Sequence, residues 1–192
     1  MPAPQVDILE NAIRRHNGLL GILLTDRTST TATKVHNILW ATDSYNNHKP
    51  TDEISLDDVT GKNTYLIQPR IAKSKEEQKS RTRDKAEVFT PSWVCNSQNN
   101  LIDEAWFGCK NVFNREIINE DGTHSWIPTE GKIQFSEDDK DKTWQKYVVD
   151  LRLEITCGEA PYLVSPYDTT TGVVIPLFQR IGLLDRKLRV VN

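Results

Sequence analysis

Residues 152–163, "RLEITCGEAPYL", decide the fold that the sequence predicts. The preceding residues and the first of this stretch, 149–155, alternate apolar and polar side chains, which is typical of a strand with one buried face. Gly158 and Pro161 then break the pattern, so a strand followed by a tight loop is expected. In open α/β sheets, ligands bind where strands end in such loops, but a strand followed by a glycine is also an ordinary turn. From these residues alone both interpretations stay open.

Composition indicates a globular protein with one sizeable domain, or a small lobe and part of a second. The chain has 192 residues, of which 37% are hydrophobic and 27% charged, so it can bury a core. No apolar run approaches the roughly 18 residues of a membrane span, and the first residues do not resemble a secretory signal. We therefore expect no membrane partner. Three cysteines, an odd number without metal-ligand spacing, favour reduced thiols and a cytoplasmic location.

Charge is unevenly distributed along the chain. The net charge of −3 excludes a polycation, but Arg70 to Lys85 holds seven Lys or Arg against three acidic residues. Such a segment can bind phosphates by releasing counterions, and a solvated helix face is the alternative. The candidate DNA-binding residues are Arg70, Lys73, Lys75, Lys79, Arg81 and Arg83.

A helix is predicted to begin at Thr90 and Pro91. A threonine hydroxyl can cap free helix amides, and proline fits the first helical turn. The side chains expected to face a core from this helix are Trp93, Val94, Leu101, Ile102 and Trp106.

Further elements are predicted from local patterns. Residues 6–24 have helical spacing of apolar residues, and residues 35–43 are typical of a strand. Residues 73–83 indicate either an exposed charged helix or a mobile segment. Asp121 followed by Gly122 between apolar runs predicts a hairpin, and Trp126 after that turn is a candidate surface anchor.

Two stretches together resemble a known family. "EVFTPSWVCNSQNN" at 87–100, followed by "EITCGEAPYL" at 154–163, is similar to the DNA adenine-N6 methyltransferases of bacterial restriction–modification systems, in particular their modification subunits. Those enzymes carry an aromatic residue, Thr and Pro at the head of a helix, and later an acidic residue before a Cys-Gly loop. The resemblance covers roughly residues 35–192.

The resemblance implies an S-adenosylmethionine site. Phe89 to Pro91 match the aromatic-Thr-Pro motif, Glu154 the acidic residue near the methionine portion of the cofactor, and Cys157 and Gly158 the loop. The implied cofactor-binding residues are Phe89, Thr90, Pro91, Glu154, Thr156, Cys157, Gly158 and Tyr162.

The chain also departs from the family pattern. Ile155 stands where the family has proline, Glu159 where it has serine, and Ala160 where it has a second glycine. The added methyl group and the added negative charge would both oppose close approach of a cofactor. The catalytic tetrapeptide of Asn or Asp, two prolines and an aromatic residue, which holds the extruded adenine, occurs nowhere in the sequence, so no catalytic residue is assigned.

These observations give two hypotheses on one fold class, mixed α/β. Residues 1–85 are expected to form an N-terminal lobe of helix and strand. Residues 86–192 would open an incomplete Rossmann-like methyltransferase sheet, with an insertion at about 103–147. The first hypothesis is the N-terminal portion of a bacterial or phage DNA adenine-N6 methyltransferase, inactive alone, with DNA and other restriction–modification subunits as partners. The alternative is a non-enzymatic module that binds protein or DNA through the basic segment and an exposed Trp126.

Other chemistries find less support. His16, His36, His48 and His124 share no ligand spacing, so no metal site is predicted. A nuclease would need an acidic residue followed by a Glu-x-Lys arrangement, which the sequence does not contain.

Overall fold

The chain folds into two compact units in a computed structural model. The structure describes residues 18–45, 47–63, 66–67, 69–86, 88–154 and 158–192, and only the backbone of residues 84 and 85. One unit is Asp7–Gln68, here the N-terminal unit; the other, the C-terminal unit, is Met1–Val6 together with Pro69–Asn192. The sequence predicted a domain boundary after residue 85, which is the last residue of a helix inside the C-terminal unit.

The N-terminal unit has little regular structure around a small core. Helix α1 (Leu19–Leu24) follows Gly18, whose φ of 82° lies in the left-handed region that favours glycine. The predicted helix upstream of residue 18 lies outside the described residues. The core consists of Leu24, Trp40 and Ile54.

The strand predicted for residues 35–43 forms only isolated bridges. Asn37 pairs with Thr25 and Leu39 with Glu53, both antiparallel. A short 3-10 turn, Gly61–Asn63, follows.

The C-terminal unit is mixed α/β, which confirms the predicted class. Its helices are α2 (Lys75–Lys85), α3 (Ser92–Phe107), α4 (Trp144–Val149) and α5 (Leu183–Val191), its strands β1 (Asn114–Ile118) and β2 (His124–Pro128), and its 3-10 turns Arg70–Ala72 and Leu177–Gln179. Strands β1 and β2 pair antiparallel around Gly122, whose φ is 79°, so the predicted hairpin is confirmed.

Local sequence signals set the ends of the two longest helices. Helix α2 begins with a capping box in which the Ser74 hydroxyl accepts the Glu77 N–H and the Glu77 carboxylate accepts the Ser74 N–H. Helix α3 ends at Gly108 in the left-handed conformation, with φ 75°. None of the helices in the described part of the chain is long and apolar enough to cross a bilayer.

Aromatic rings form the core of the C-terminal unit. The buried cluster of Phe113, Ile133, Tyr147 and Val190 is covered by partly buried neighbours that include Trp106 and Phe135. Trp106 meets Tyr147 edge-on at 5.2 Å between ring centroids. Three of the four buried members lie within residues 103–147, so the segment expected as an insertion supplies much of this core.

The strand predicted before the Cys-Gly loop is wrong for the part that the structure describes. Residues 151–154 belong to no strand. Leu151 and Leu153 are 94% and 85% exposed, while Arg152 and Glu154 are half-buried. The alternation of the sequence is therefore present, but the polar side chains face the protein and the leucines face solvent.

Candidate functional site

Helix α3 is capped by a residue far away in the sequence. Pro91 occupies the cap position without a side-chain hydrogen bond, so the predicted cap by the Thr90 hydroxyl is wrong. Instead, the Ser92 N–H donates to Oδ2 of Asp168 at 2.7 Å. The other carboxylate oxygen of Asp168 accepts the N–H groups of Thr170 and Thr171 at 2.9 and 2.8 Å. The "DTTTG" turn at 168–172 thus fixes the start of the helix that carries the aromatic-Thr-Pro motif.

Hydrogen bonds keep Asp168 ionised. Burial alone would raise its pKa, but the bonds from Thr170, Ser92 and Thr171 outweigh burial and bring the pKa to about 2. The turn therefore places a full negative charge at the N-terminus of α3, where the helix dipole stabilises it.

The two motifs meet through Phe89 and Gly158. A Cβ added to Gly158 would lie 3.4 Å from Cε1 of Phe89, so the ring packs directly on the glycine backbone. The guanidinium of Arg70 lies 5.1 Å from the centroid of the same ring. Thr156 and Cys157, also expected in this site, lie outside the described residues.

The residues that depart from the family pattern have structural partners. The Glu159 carboxylate accepts the Arg70 N–H at 2.7 Å through Oε1 and the Tyr167 hydroxyl at 2.7 Å through Oε2. Both carboxylate oxygens of Glu159 therefore have hydrogen-bond donors within the protein. Ala160 has φ 53°, a left-handed conformation that favours the glycine of the family at this position.

The loop is held against α5 by a close backbone approach. The N–H groups of Leu183 and Leu184 donate to the carbonyls of Tyr162 and Leu163 at 2.7 and 2.9 Å. A Cβ on Gly182 would lie 2.4 Å from the Leu163 carbonyl oxygen, so only glycine allows this contact. The loop after the Cys-Gly motif is thereby positioned by a helix.

A cleft of about 290 Å³, here the α3 cleft, lies between α3 and this loop. It brings together three of the predicted cofactor residues: Thr90, Glu154 and Tyr162. The remaining lining residues are Gln98, Asn99, Ile102, Arg152, Leu153, Leu163 and Leu183. Pro91 lines a different cleft of about 470 Å³ next to the hairpin.

Both charged residues that line the α3 cleft have buried polar atoms without a hydrogen-bond partner among the described residues. Neither carboxylate oxygen of Glu154 accepts a hydrogen bond of good geometry from the described residues, although both oxygens are buried. Burial raises the pKa of Glu154, and the nearby backbone N–H of Tyr162 only partly opposes that shift. Nη1 of Arg152 is likewise buried without a hydrogen-bond partner among the described residues.

A buried polar network lies beneath the cleft. Asp103, 2% exposed, accepts hydrogen bonds from the Tyr147 hydroxyl at 3.0 Å and from Nη2 of Arg152 at 2.8 Å, and it pairs with Nη1 of Arg186. Arg186 is fully buried and also donates to Oδ1 of Asn96 at 2.8 Å. One carboxylate therefore serves two guanidinium groups.

The sequence patterns predicted neither this polar network nor which side of α3 is buried. The buried residues of the helix are Ser92, Cys95, Asn96, Asn99 and Asp103, which repeat at helical spacing. Trp93, Leu101 and Ile102, predicted to face the core, are 38%, 63% and 47% exposed. The recurrence of polar residues at helical spacing is the sequence signal that could have identified the buried side of α3. Similarly, the two-residue period of "DLRLE" places Arg152 on the same side as Glu154.

The tryptophans also differ from expectation. Trp106 lies in the core as predicted, whereas Trp93 stacks on the exposed ring of His124 with centroids 3.9 Å apart. Trp126 is half-buried, and its indole N–H donates to the Gln179 carbonyl at 2.8 Å. The alternative hypothesis of an exposed Trp126 is therefore wrong in that detail.

The candidate DNA-binding residues lie on the 3-10 turn before α2, at the residue that ends this turn, and on α2 itself. Arg70 is half-buried against Phe89, whereas Lys75, Lys79 and Arg83 are exposed. Their spacing of four places these three on one face of the helix. Lys73 and Arg81 are half-buried.

Comparisons with known proteins do not assign the chain to a family. No family model, no curated protein and no solved structure matches the chain. Within the described residues, no group of three His, Cys, Asp or Glu side chains is arranged to hold a metal ion.

Proposed function

We propose that the C-terminal unit carries the methionine-side half of an S-adenosylmethionine site. The whole enzyme would be a restriction–modification DNA adenine-N6 methyltransferase. The observation that carries the proposal is the contact of Phe89 with Gly158, which joins the two motifs; neither residue lines the α3 cleft, but Thr90, Glu154 and Tyr162 of the same two stretches do. Two stretches far apart in sequence, matched to one cofactor by resemblance alone, lie side by side in the fold.

The shape of the loop supports this proposal. Gly158 and Ala160 both have left-handed φ values, 50° and 53°, at the two positions where the family has glycine. Glycine there lets backbone amides approach a ligand closely. Glu159, whose charge would oppose a cofactor, is instead bonded to Arg70 and Tyr167.

The size and lining of the α3 cleft suit part of a ligand. At about 290 Å³ the cleft lies at the lower end of the range for small-molecule pockets, roughly 300–1,000 Å³. A cleft of this size accepts an amino-acid end better than a whole nucleoside. We further propose that the whole enzyme completes a Rossmann-like sheet, in which residues 151–154, which form no strand here, would pair with further strands that cover Leu151 and Leu153.

In the complete enzyme, the cofactor would supply a methyl group to the amino nitrogen of an extruded adenine. The residues of this chain would bind and orient the methionine end, and so position the sulfonium methyl group. The tetrapeptide that holds the adenine is not among the 192 residues, and we assign that step to another chain or segment.

Calorimetric titration with S-adenosylmethionine tests this proposal. We expect saturable binding to the full chain and its loss in Glu154→Ala. Glu137→Ala is the matched control, because Glu137 is exposed in a loop away from the cleft. No heat at millimolar ligand, with the chain folded by circular dichroism, would reject the cofactor site.

A second candidate function is DNA binding through α2. The exposed row of Lys75, Lys79 and Arg83 favours it, because such a row can neutralise successive phosphates. Replacing all three by Gln is expected to weaken binding to duplex DNA and to flatten its salt dependence by about three counterions. A control triple variant with Lys110, Lys132 and Lys140 changed to Gln, all exposed, should bind as the parent does. Equal losses in both variants would show that only net charge matters.

A further inference from the structure

We infer that the α3 cleft recognises the zwitterionic head group of an α-amino acid, with Arg152 binding its carboxylate and Glu154 its ammonium group. This inference rests on the proposed function, since it takes the α3 cleft as the cofactor's binding site. It adds Arg152, which the family resemblance does not assign. It also makes the head group, rather than the nucleoside, the part that this chain selects.

Arg152 is prepared to bind an anion. Its Nη2 donates to Asp103 at 2.8 Å, and its side chain is only 11% exposed. Nη1 has no hydrogen-bond partner among the described residues, and Nε has only the Asp150 carboxylate at 3.5 Å. The guanidinium of this cleft-lining residue is thus fixed in orientation by one carboxylate, and its Nη1 remains an unused donor. A planar guanidinium held in this way suits a second carboxylate better than a flexible lysine would.

The charge beneath the cleft also favours an anion. Asp103 is shared by Arg152 and Arg186, and the second carboxylate near Arg152, that of Asp150, lies 3.5 Å from Nε and is itself 37% exposed, so the buried part of the cluster has two guanidinium groups for one buried carboxylate. The effect reaches Lys187, whose pKa is lowered first by burial and then by the charge of Arg152. A ligand carboxylate at Arg152 would neutralise this excess.

Glu154 is prepared to bind a cation. Both of its carboxylate oxygens are buried, and no described residue donates to them with good geometry. An ammonium group has three donors and would satisfy the carboxylate. Arg152 and Glu154 line the same cleft but make no ion pair with each other, so each retains its binding capacity.

The cleft that Arg152 and Glu154 line is partly apolar. Leu153 stands between them in the sequence and is 85% exposed. Apolar side chains of Ile102, Leu163 and Leu183 line the rest of the cleft. A head group between the two charges, followed by a short aliphatic chain, matches methionine and its derivatives.

Calorimetry with modified ligands tests this inference without disturbing the buried network. The probes are S-adenosylhomocysteine, its methyl ester, its N-acetyl derivative, and 5′-methylthioadenosine, which lacks the head group. We expect each loss of a head-group charge to weaken binding at least tenfold. In Glu154→Gln the effect of N-acetylation should shrink, while the effect of esterification should persist.

Two further variants complete the test. Arg152→Lys should reduce the effect of esterification but leave that of N-acetylation, with folding checked by circular dichroism. Glu137→Gln, the exposed control, should behave as the parent chain. A pattern in which each variant removes the effect of only its own ligand group would support the assignment of Arg152 and Glu154.

The outcomes separate this inference from the proposed function. If S-adenosylhomocysteine and both derivatives bind equally, the cofactor proposal stands and the head-group inference is overturned. If free L-methionine binds as well as S-adenosylmethionine, and loses affinity on esterification, the head-group inference stands and the cofactor proposal fails. Absence of binding by every probe overturns both.

Discussion

The carboxylate of Asp168 accepts the backbone N–H of Ser92 at 2.7 Å and so joins the 168–172 turn to the first residue of α3. The contact connects a loop that the sequence marks only as a turn to the helix that carries the aromatic-Thr-Pro motif. Because Asp168 also binds Thr170 and Thr171, it orders its own turn while it caps the helix. The same turn also contacts Thr90, whose carbonyl accepts the Thr169 hydroxyl at 3.1 Å.

Asp168→Asn is expected to destabilise the fold by about 1–2 kcal/mol at pH 7. An amide keeps one acceptor but turns a donor toward the Ser92 N–H or the turn. Because the folded-state pKa is lowered from 3.8 to about 2, its stabilisation is present above pH 4 and lost as the pH falls through 2. Urea unfolding of parent and variant should therefore differ at pH 7 and converge near pH 2.

The control for this variant is Asp138→Asn in the exposed 136–142 loop. A constant difference between Asp168→Asn and the parent from pH 7 to pH 2 would show that the charge of Asp168 contributes nothing.

Exchanging the residue types at positions 158 and 160 should have opposite effects. Gly158→Ala adds a methyl group at φ 50°, in contact with Phe89, and is expected to cost about 1 kcal/mol. Ala160→Gly relieves a left-handed alanine but makes the unfolded chain more flexible, so a net gain of about 0.5 kcal/mol is expected. Thermal unfolding measures both. Equal signs for the two changes would contradict the conformation of this loop.

Glu154→Gln should stabilise the free protein while it weakens ligand binding. The variant removes a carboxylate that no described residue satisfies, and a gain of about 0.5–1 kcal/mol at pH 7 is expected. Since the pKa of Glu154 is raised in the folded state, the parent loses stability as the pH rises through that pKa. Unfolding at pH 7 should therefore favour the variant, and the difference should shrink toward pH 4.

A destabilised Glu154→Gln variant would mean that the carboxylate has a structural partner. Binding sites commonly hold groups that reduce the stability of the ligand-free protein. A destabilised variant would show that Glu154 is not a group of this kind and would speak against the α3 cleft as a binding site.

Local signals in the sequence predicted those features that depend only on residues close together in the chain. Pro91 directly precedes α3, close to the predicted start, and Asp121 with Gly122 forms the predicted hairpin turn, because these residues act through their own backbone. The inward side of α3 could not be found from apolar periodicity, since the helix buries Asn96 and Asp103. Their partners come from elsewhere in the chain, and Arg186, nearly at its end, determines which side is buried.

The candidate site was likewise predicted only in part. Resemblance placed Thr90, Glu154 and Tyr162 in one site, and the cleft brings them together. Arg152 was missed because its role depends on Asp103, which lies on α3 and is distant in sequence. No pattern along the chain connects these two residues.

The shared carboxylate of Asp103 gives the last prediction. Asp103→Asn leaves the fully buried Arg186 without its carboxylate and Arg152 with only Asp150 at 3.5 Å, and a loss of about 3–5 kcal/mol is expected. Tyr147→Phe removes only one hydrogen bond to the same carboxylate and should cost about 1 kcal/mol. Urea unfolding of both variants and of Asp138→Asn gives the comparison. Should Asp103→Asn prove too unstable to purify, Tyr147→Phe still measures the network. Equal, small losses for Asp103→Asn and Tyr147→Phe would show that Arg152 and Arg186 do not depend on Asp103.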